Sequence, residues 1–297
     1  MENSTPKKIS ESQIKNLALS GGGFYGFAVV GALKEIFDNY IDPNNIKTIS
    51  GVSVGSIIAT MLAIGYSIDE ITKIMFEIDM DTLIKDSYFS YYTLWEKFGM
   101  YNADKLEQEI ERIIRDKTHI KNCTFSQIEK NLIIVTTNLN YQRTRIFSKL
   151  ETPTMIISKA VRMSISYPFI MVPVLFEGDL YGDGGETLNY PITLFDDDLD
   201  KTIGITFANH NENDDGTLKT RLPINNFYDY IVSLGLTMNR SSYISQISSK
   251  YLDRSIVIKI NEDISSMQFN LDLKQKEYLF ECGIKSVKQQ IIKLINH

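Results

Sequence analysis

A serine between two glycines stands where a predicted strand gives way to a predicted helix. The pentapeptide Gly51-Val52-Ser53-Val54-Gly55 fits the pattern G-x-S-x-G and follows the short apolar run 46–50. In such a turn the serine hydroxyl projects from the sheet, and the glycines avoid collisions between a Cβ and the flanking elements. The positive end of the following helix favours alkoxide character at the serine oxygen, as nucleophilic catalysis requires. The pentapeptide alone also fits a packing turn in which Ser53 only caps the helix.

Three consecutive glycines, Gly21, Gly22 and Gly23, form a second strand-to-helix turn. Bare amides at a helix N-terminus bind an anion, either a phosphate or the oxyanion of a tetrahedral acyl intermediate. Together with Gly26 they also fit the dinucleotide fingerprint G-x-G-x-x-G. That fingerprint needs an acidic residue at the end of the next strand, whereas Asp42 comes before that strand. We therefore favour the oxyanion interpretation over the dinucleotide one.

A candidate base follows the strand-like run 172–181 as Asp183-Gly184-Gly185. An aspartate beside glycines at a strand end can approach another turn closely, which a base serving Ser53 must do. The commoner role of Asp-Gly is a hairpin turn held by the aspartate side chain. We expect a dyad in which Asp183 takes the Ser53 proton directly and is ionised at neutral pH.

Histidine offers an alternative arrangement. The chain has three histidines, of which His210 follows the predicted strand 202–207. The order Ser53, Asp183, His210 is that of a hydrolase triad. However, the serine comes very early in the chain for that fold, and His210 lies in an Asn- and Asp-rich loop typical of solvated side chains. The sequence therefore favours the dyad and keeps the triad as an alternative.

The pattern of apolar residues predicts a scaffold for these turns. Strand, glycine turn and helix occur twice in succession, which is typical of an α/β sheet with parallel strands. The predicted strands are 16–20, 46–50, 132–137, 144–147, 172–180, 202–207 and 255–260. The predicted helices are 24–40, 54–65, 153–164 and 273–295, with further helix within 68–117.

The segment 76–101 is rich in aromatic residues and methionine and includes Trp95. Such a segment suits a lipid-facing lid, but a helical pair packed on the sheet is the commoner outcome and is the one we expect.

Composition limits the function further. The chain has 297 residues, 43% of them hydrophobic, and a formal net charge of -6, which argues against a nucleic-acid coat or simple electrostatic adsorption to anionic lipid. Two cysteines are too few for a disulfide framework, and no secretory signal or membrane-spanning run is readable. We expect an intracellular protein, soluble or peripherally membrane-associated, with a flexible arm at 1–13 and one domain over 14–297. Within that domain, 14–207 carries the motifs and 208–297 is expected to be mainly helical.

The three glycine-containing turns resemble the signature blocks of the patatin-like phospholipase family. The resemblance extends to 159–169, with Ala160, Ser164, Ser166, Pro168 and Phe169, and to Asn189 and Pro191 after the Asp-Gly-Gly turn. It implies a three-layer fold with a mostly parallel central sheet flanked by helices. The roles it implies are Ser53 as nucleophile, Asp183 as base, Gly21, Gly22 and Gly23 as oxyanion hole, and Gly51, Gly55, Gly184 and Gly185 as supporting residues.

The activity that the resemblance implies is hydrolysis of fatty acyl esters in phospholipids or other glycerolipids at a membrane surface, without a metal or other cofactor. A protein activator is compatible with it, and the oligomeric state is left open. The family commonly has Arg or Lys two residues after its glycine block, where this chain has Tyr25. A second hypothesis is a non-catalytic member of the fold that only binds a lipid or phosphate.

Overall fold

The computed structural model describes residues 14–85, 91–209, 223–260, 264–268 and 270–295. Its strands are β1 (Asn16–Leu19), β2 (Thr48–Val52), β3 (Gly99–Tyr101), β4 (Asn131–Asn138), β5 (Arg143–Ser148), β6 (Phe169–Met171), β7 (Val174–Phe176), β8 (Asp179–Asp183), β9 (Thr202–Asn209) and β10 (Ser255–Ile260). Its helices are α1 (Gly26–Asn39), α2 (Val54–Ala63), α3 (Ile68–Glu77), α4 (Met80–Ile84), α5 (Tyr91–Lys97), α6 (Asp104–Thr118), α7 (Ile157–Ser164), α8 (Gly185–Leu188), α9 (Phe227–Gln246), α10 (Ser249–Leu252) and α11 (Leu273–Ile295).

Eight strands form the main sheet in the order β10, β9, β1, β2, β4, β8, β7, with β5 also paired to β4. The five strands from β10 to β4 run parallel, whereas β5, β7 and β8 join antiparallel. A separate parallel pair joins β3 and β6. The expectation of a mostly parallel central sheet is therefore confirmed.

Both faces of the sheet are covered. This is visible within one strand, since alternate residues of a strand point to opposite faces. In β1, Leu17 and Leu19 belong to the large apolar core. Ala18 between them packs in a second cluster with Tyr190 and Ile192. Burial on both faces explains why the parallel strands are continuous apolar runs.

Two predicted elements differ from the structure. The run predicted as one strand over 172–180 is a hairpin of β7 and β8, because Glu177 and Gly178 both adopt positive φ, 51° and 90°, in a two-residue turn. The helix predicted from 153 begins only at Ile157, since Ile156 is extended and pairs with Thr124. The helix predicted over 273–295 is confirmed with the same bounds.

Candidate active site

The sheet brings the predicted nucleophile and base together on one side of a single strand. Val52, the last residue of β2, is paired with Val135 of β4, and the next residue of β4, Thr136, is paired with Asp183 at the end of β8. Because β5 pairs with both Val135 and Thr136 along the opposite side of β4, the ends of β2 and β8 meet on the same side. Ser53 and Asp183 therefore lie next to each other at the carboxyl edge of the parallel strands, where open α/β sheets bind ligands.

Ser53 has the backbone conformation of a strained turn, with φ of 52° and ψ of -127°. The flanking glycines permit it, since a Cβ at Gly55 would lie 2.6 Å from the carbonyl oxygen of Ser20. A Cβ at Gly51 would in turn collide with the carbonyl of Gly55. The expected role of both glycines, close approach of flanking backbone, is confirmed.

A serine that was recognised only through the family resemblance holds this turn. The Ser53 N–H donates to Oγ of Ser164 at 3.0 Å, and that hydroxyl donates to the carbonyl of Val135 at 2.6 Å. Two residues on, the carbonyl of Ser166 accepts from the N–H of Asp183 at 3.0 Å. The end of α7 thus links the two reactive turns to each other and to β4.

Asp183 is buried, with 1% of its surface exposed. Its Oδ1 accepts from the N–H of Gly185 at 2.7 Å, and its own carbonyl accepts from the Thr137 hydroxyl at 2.8 Å. Burial raises the pKa of the carboxyl, whereas the hydrogen bond from Gly185 and the nearby Ser53 hydroxyl lower it. Oδ2 is buried and accepts no hydrogen bond from the residues that the structure describes, so it is the carboxyl oxygen with its acceptor capacity unused.

The expectation that Asp183 is ionised at neutral pH is corrected. Burial raises its pKa to about 7, and the hydrogen bond from Gly185 and the contact with Ser53 offset only part of that rise. At pH 7 about half of the molecules would carry the proton. Burial in the folded state could not be read from an Asp-Gly-Gly motif.

A second carboxyl near the site, Glu186, was not singled out in the sequence. Burial raises its pKa to about 8, with a further contribution from the charge of Asp183. Glu186 is therefore mostly neutral at pH 7, which limits its repulsion of an ionised Asp183.

The three amides of the glycine loop differ in their hydrogen bonding. The N–H of Gly21 donates to the carbonyl of Asn189 at 3.0 Å, which ties the loop to the segment after α8. The amides of Gly22 and Gly23 donate to no backbone acceptor among the described residues. Of the three amides predicted to form an oxyanion hole, that of Gly21 is therefore already hydrogen-bonded within the protein.

The residue that departs from the family pattern, Tyr25, joins this loop to a later segment. Its hydroxyl donates to the carbonyl of Ile264 at 2.7 Å. The neighbouring N–H of Phe24 donates to the carbonyl of Ser266 at 2.8 Å. Segment 264–267 therefore lies against the glycine loop.

A cavity of about 640 Å³ opens at Ser53 and the glycine loop. Its lining is largely apolar and comes from both the motif-bearing half of the chain and the C-terminal part. The described lining residues include Gly21, Gly22, Gly23, Ser53, Ile57, Met75, Met80, Ile84, Leu106, Tyr167, Asn189, Phe207, Leu236, Arg240, Tyr243 and Met267.

Several other candidates lie away from the cavity or outside the described residues. His210, the triad alternative, lies outside them. Asp42 accepts from the N–H of Asn44 in a turn before β2, so it is not at a strand end as the dinucleotide fingerprint requires. Trp95 on α5 is 83% exposed and does not line the cavity, although Met80 and Ile84 from the same aromatic-rich segment do.

The described part of the chain has neither a metal-binding cluster nor a membrane-spanning helix. No group of three or more His, Cys, Asp or Glu side chains there is placed to hold a metal ion. None of the helices there is both long enough and apolar enough to span a bilayer.

Comparison with known proteins shows which family the chain matches. A sequence model described as patatin-like phospholipase matches residues 17–196, more than half of the chain. YqhO of Bacillus subtilis (strain 168) is 26% identical over 283 residues, covering 89% of this chain and 93% of YqhO. Protein 463L of Invertebrate iridescent virus 6, named a probable lipid hydrolase, is 32% identical over 185 residues, covering 61% of this chain and 62% of 463L.

Solved structures resemble the fold. VipD from Legionella pneumophila superposes with a TM-score of 0.61 at 16% identity, covering 98% of this chain and 69% of VipD. The type III effector ExoU superposes with a TM-score of 0.53 at 16% identity, covering 98% of this chain and 57% of ExoU. ExoU of Pseudomonas aeruginosa has also been solved in complex with SpcU. The expected patatin-like fold is confirmed.

Proposed function

The chain belongs to the patatin-like phospholipase family, and from that premise we propose that it is a lipid acyl hydrolase of the phospholipase A type. It would cleave fatty acyl esters of phospholipids or other glycerolipids at a membrane surface. The observation that carries the proposal is the placement of Ser53 next to the buried Asp183, where β2 and β8 meet on one side of β4, with Ser53 lining an apolar cavity. The viral relative named a probable lipid hydrolase supports the substrate class.

In the first half of the reaction, Oγ of Ser53 forms a bond to the ester carbonyl carbon, and its proton passes to Oδ2 of Asp183. The resulting oxyanion would accept hydrogen bonds from the amides of Gly22 and Gly23. When the tetrahedral intermediate collapses, the bond between carbon and the alcohol oxygen breaks. The leaving alcohol then takes the proton back from Asp183, which leaves an acyl group on Ser53.

In the second half, water attacks the acyl carbon and gives a proton to Asp183, which returns it to Ser53 as the fatty acid leaves. A carboxylate is a weak base for a serine hydroxyl, and much of the rate must come from the oxyanion donors. Each well-placed donor is worth about 3 kcal/mol in comparable sites. Burial makes Asp183 a better acceptor of the Ser53 proton, because a carboxylate with a pKa of about 7 is a stronger base than a solvated one.

The test compares substitutions at the two sites in one assay. We expect Ser53→Ala and Asp183→Asn each to lower hydrolysis of a fluorogenic phospholipid ester by at least about 1,000-fold. A fluorophosphonate probe should label the wild type and not Ser53→Ala. The matched control is Asp179→Asn, which removes another carboxylate of β8, bonded to Asn138, and should leave the rate unchanged.

The non-catalytic hypothesis makes the opposite forecast. A wild-type protein that hydrolyses no ester and reacts with no probe, yet binds phospholipid vesicles, would support it. Full activity in Asp183→Asn would instead remove the dyad and return attention to His210.

A further inference from the structure

The cavity beside Ser53 has two chemically different sides. One side is built by α2, α3, α4 and α6, whose lining residues include Ile57, Met75, Ile84 and Leu106. These side chains offer no hydrogen bonds and match an acyl chain.

Another part of the lining comes from α9, which contributes polar residues as well as the apolar Leu236 and Ile244. Ser233, Thr237 and Arg240 all line it, and their spacing of four and three residues places them on one face of the helix. The Thr237 hydroxyl donates to the carbonyl of Ser233 at 2.7 Å, so its oxygen remains an acceptor. Among the described residues that line the cavity, Arg240 is the one charged side chain.

Contacts with the reactive turns set the position of α9. A Cβ at Gly185, two residues after Asp183, would lie 3.2 Å from Nδ2 of Asn239. Further along the helix, the ring of Tyr243 packs on the buried ring of Tyr190 at 6.2 Å between centroids. Arg240 lines the cavity. It is the next residue after Asn239, so it lies within one helical turn of the contact with the Asp183 turn.

We propose that Arg240 binds the phosphate in the alcohol part of the substrate, so that the site prefers phosphate-bearing glycerolipids over neutral ones. The inference rests on the proposed hydrolysis. A guanidinium in a largely apolar cavity attracts an anion more strongly than it would in water and matches phosphate oxygens with paired donors. The glycerol backbone separates phosphate from ester carbonyl by only a few bonds. With the acyl chain along Met75 and Ile84, the phosphate would face α9 and the ester would lie at Ser53.

The experiment uses two substrates that differ only by a phosphate, dihexanoyl phosphatidic acid and dihexanoylglycerol, both below their aggregation limits. Monomeric substrates remove any effect of membrane docking. We expect Arg240→Met to lower kcat/KM for phosphatidic acid by about 10- to 100-fold, the loss of a charge-assisted contact. For dihexanoylglycerol the change should stay within about twofold. Arg240→Lys should recover part of the preference.

Lys250→Met is the matched control, since it removes a cation from α10 that pairs with Asp196 at 3.1 Å outside the cavity. It should leave both substrates unaffected. Equal losses on both substrates in Arg240→Met would assign Arg240 a structural role and overturn the proposal, as would an unchanged phosphate preference.

Binding to Ser53→Ala protein separates failure of this inference from failure of the proposed reaction. Calorimetric titration of Ser53→Ala with phosphatidic acid should show tighter binding than with dihexanoylglycerol, and the added Arg240→Met substitution should abolish the difference. That result would support the phosphate site even if the wild type hydrolysed neither lipid. Inorganic phosphate that bound through Arg240 without any preference between the two lipids would indicate a site for the free anion and overturn the proposal.

Discussion

Two regions in and beside the cavity are built in different ways. The strand-edge wall, comprising the turns 21–23, 51–55 and 183–185, is held by strand pairing and backbone hydrogen bonds such as that from Ser20 to Ile205 at 3.1 Å. The helical wall, comprising α9 and 264–267, is fixed largely through side chains, among them Asn239, Tyr243 and Tyr25. The strand-edge wall carries the residues proposed to react, and the helical wall carries the polar groups that would select the substrate.

This difference indicates that the two walls respond differently to substitution. Backbone geometry at the strand-edge wall leaves no room to adjust, because its elements approach one another without intervening side chains. Side-chain contacts at the helical wall can change without altering the sheet. Substitutions in the first wall should remove folding or chemistry, whereas substitutions in the second should alter binding.

Gly51→Ala should have the largest effect. The new Cβ would collide with the carbonyl of Gly55 and lie 2.7 Å from Cα of Ser56. Relief requires moving the Ser53 turn, so we expect a loss of more than about 4 kcal/mol in the free energy of unfolding and no measurable hydrolysis. Urea denaturation and the ester assay measure these outcomes.

Gly178→Ala is the control for Gly51→Ala, because its Cβ would enter open space although φ is 90°. It should cost only about 1–2 kcal/mol and leave hydrolysis intact. Equal stability of the two variants would show that the strand-edge wall adjusts more easily than its contacts indicate.

Asp183→Asn should show by how much the buried carboxylate lowers the free energy of unfolding. The pKa of Asp183 is raised from 3.8 to about 7 in the folded protein. Between pH 3.8 and about 7 the Asp183 carboxyl therefore keeps its proton in the folded state and loses it in the unfolded state. The contribution of the raised pKa to the free energy of unfolding is present below pH 3.8 and is lost as the pH rises to about 7. At pH 8 the cost has an upper bound of about 4 kcal/mol.

The asparagine variant has no such charge, so it should be more stable than the wild type at pH 8 by up to that amount. Its advantage should shrink toward pH 4. Denaturation at several pH values measures this, and kcat/KM of the wild type should rise through pH 7. A stability difference that did not vary with pH would refute the raised pKa.

The sequence predicted the strand-edge wall well because local chemistry determines it. Glycines at Gly51 and Gly55 are required by backbone contacts within a few residues or with the adjacent strand, so a short motif records the geometry. The alternation of strand and helix likewise predicted the parallel sheet. The hairpin at Glu177 and Gly178 was missed because a non-glycine residue at positive φ has no strong sequence signal.

The helical wall was largely unpredictable. Residues 208–297 were expected to be mainly helical, but the bounds of α9 were not predicted, because its residues mix Arg240 and Asn239 with exposed apolar side chains such as Phe227 and Met238, and no single apolar stripe results. The pKa of Asp183 also depends on burial by residues distant in the chain. Properties set by long-range packing leave no local pattern to read.

Tyr25→Phe should have the smallest effect and should be confined to the helical wall. It removes the hydrogen bond to the carbonyl of Ile264 at 2.7 Å while keeping the ring that packs on Phe207. We expect a loss of about 1–2 kcal/mol in the free energy of unfolding. Because 264–267 lies against the glycine loop, KM for dihexanoyl phosphatidic acid should rise about threefold with little change in kcat.

Tyr66→Phe is the matched control, because it removes a similar hydrogen bond, to the carbonyl of Ile113 at 2.9 Å, away from the cavity. It should lower the free energy of unfolding by a comparable amount without changing KM. If both variants raised KM equally, the effect would reflect general destabilisation, and segment 264–267 would no longer count as part of a substrate-selecting wall.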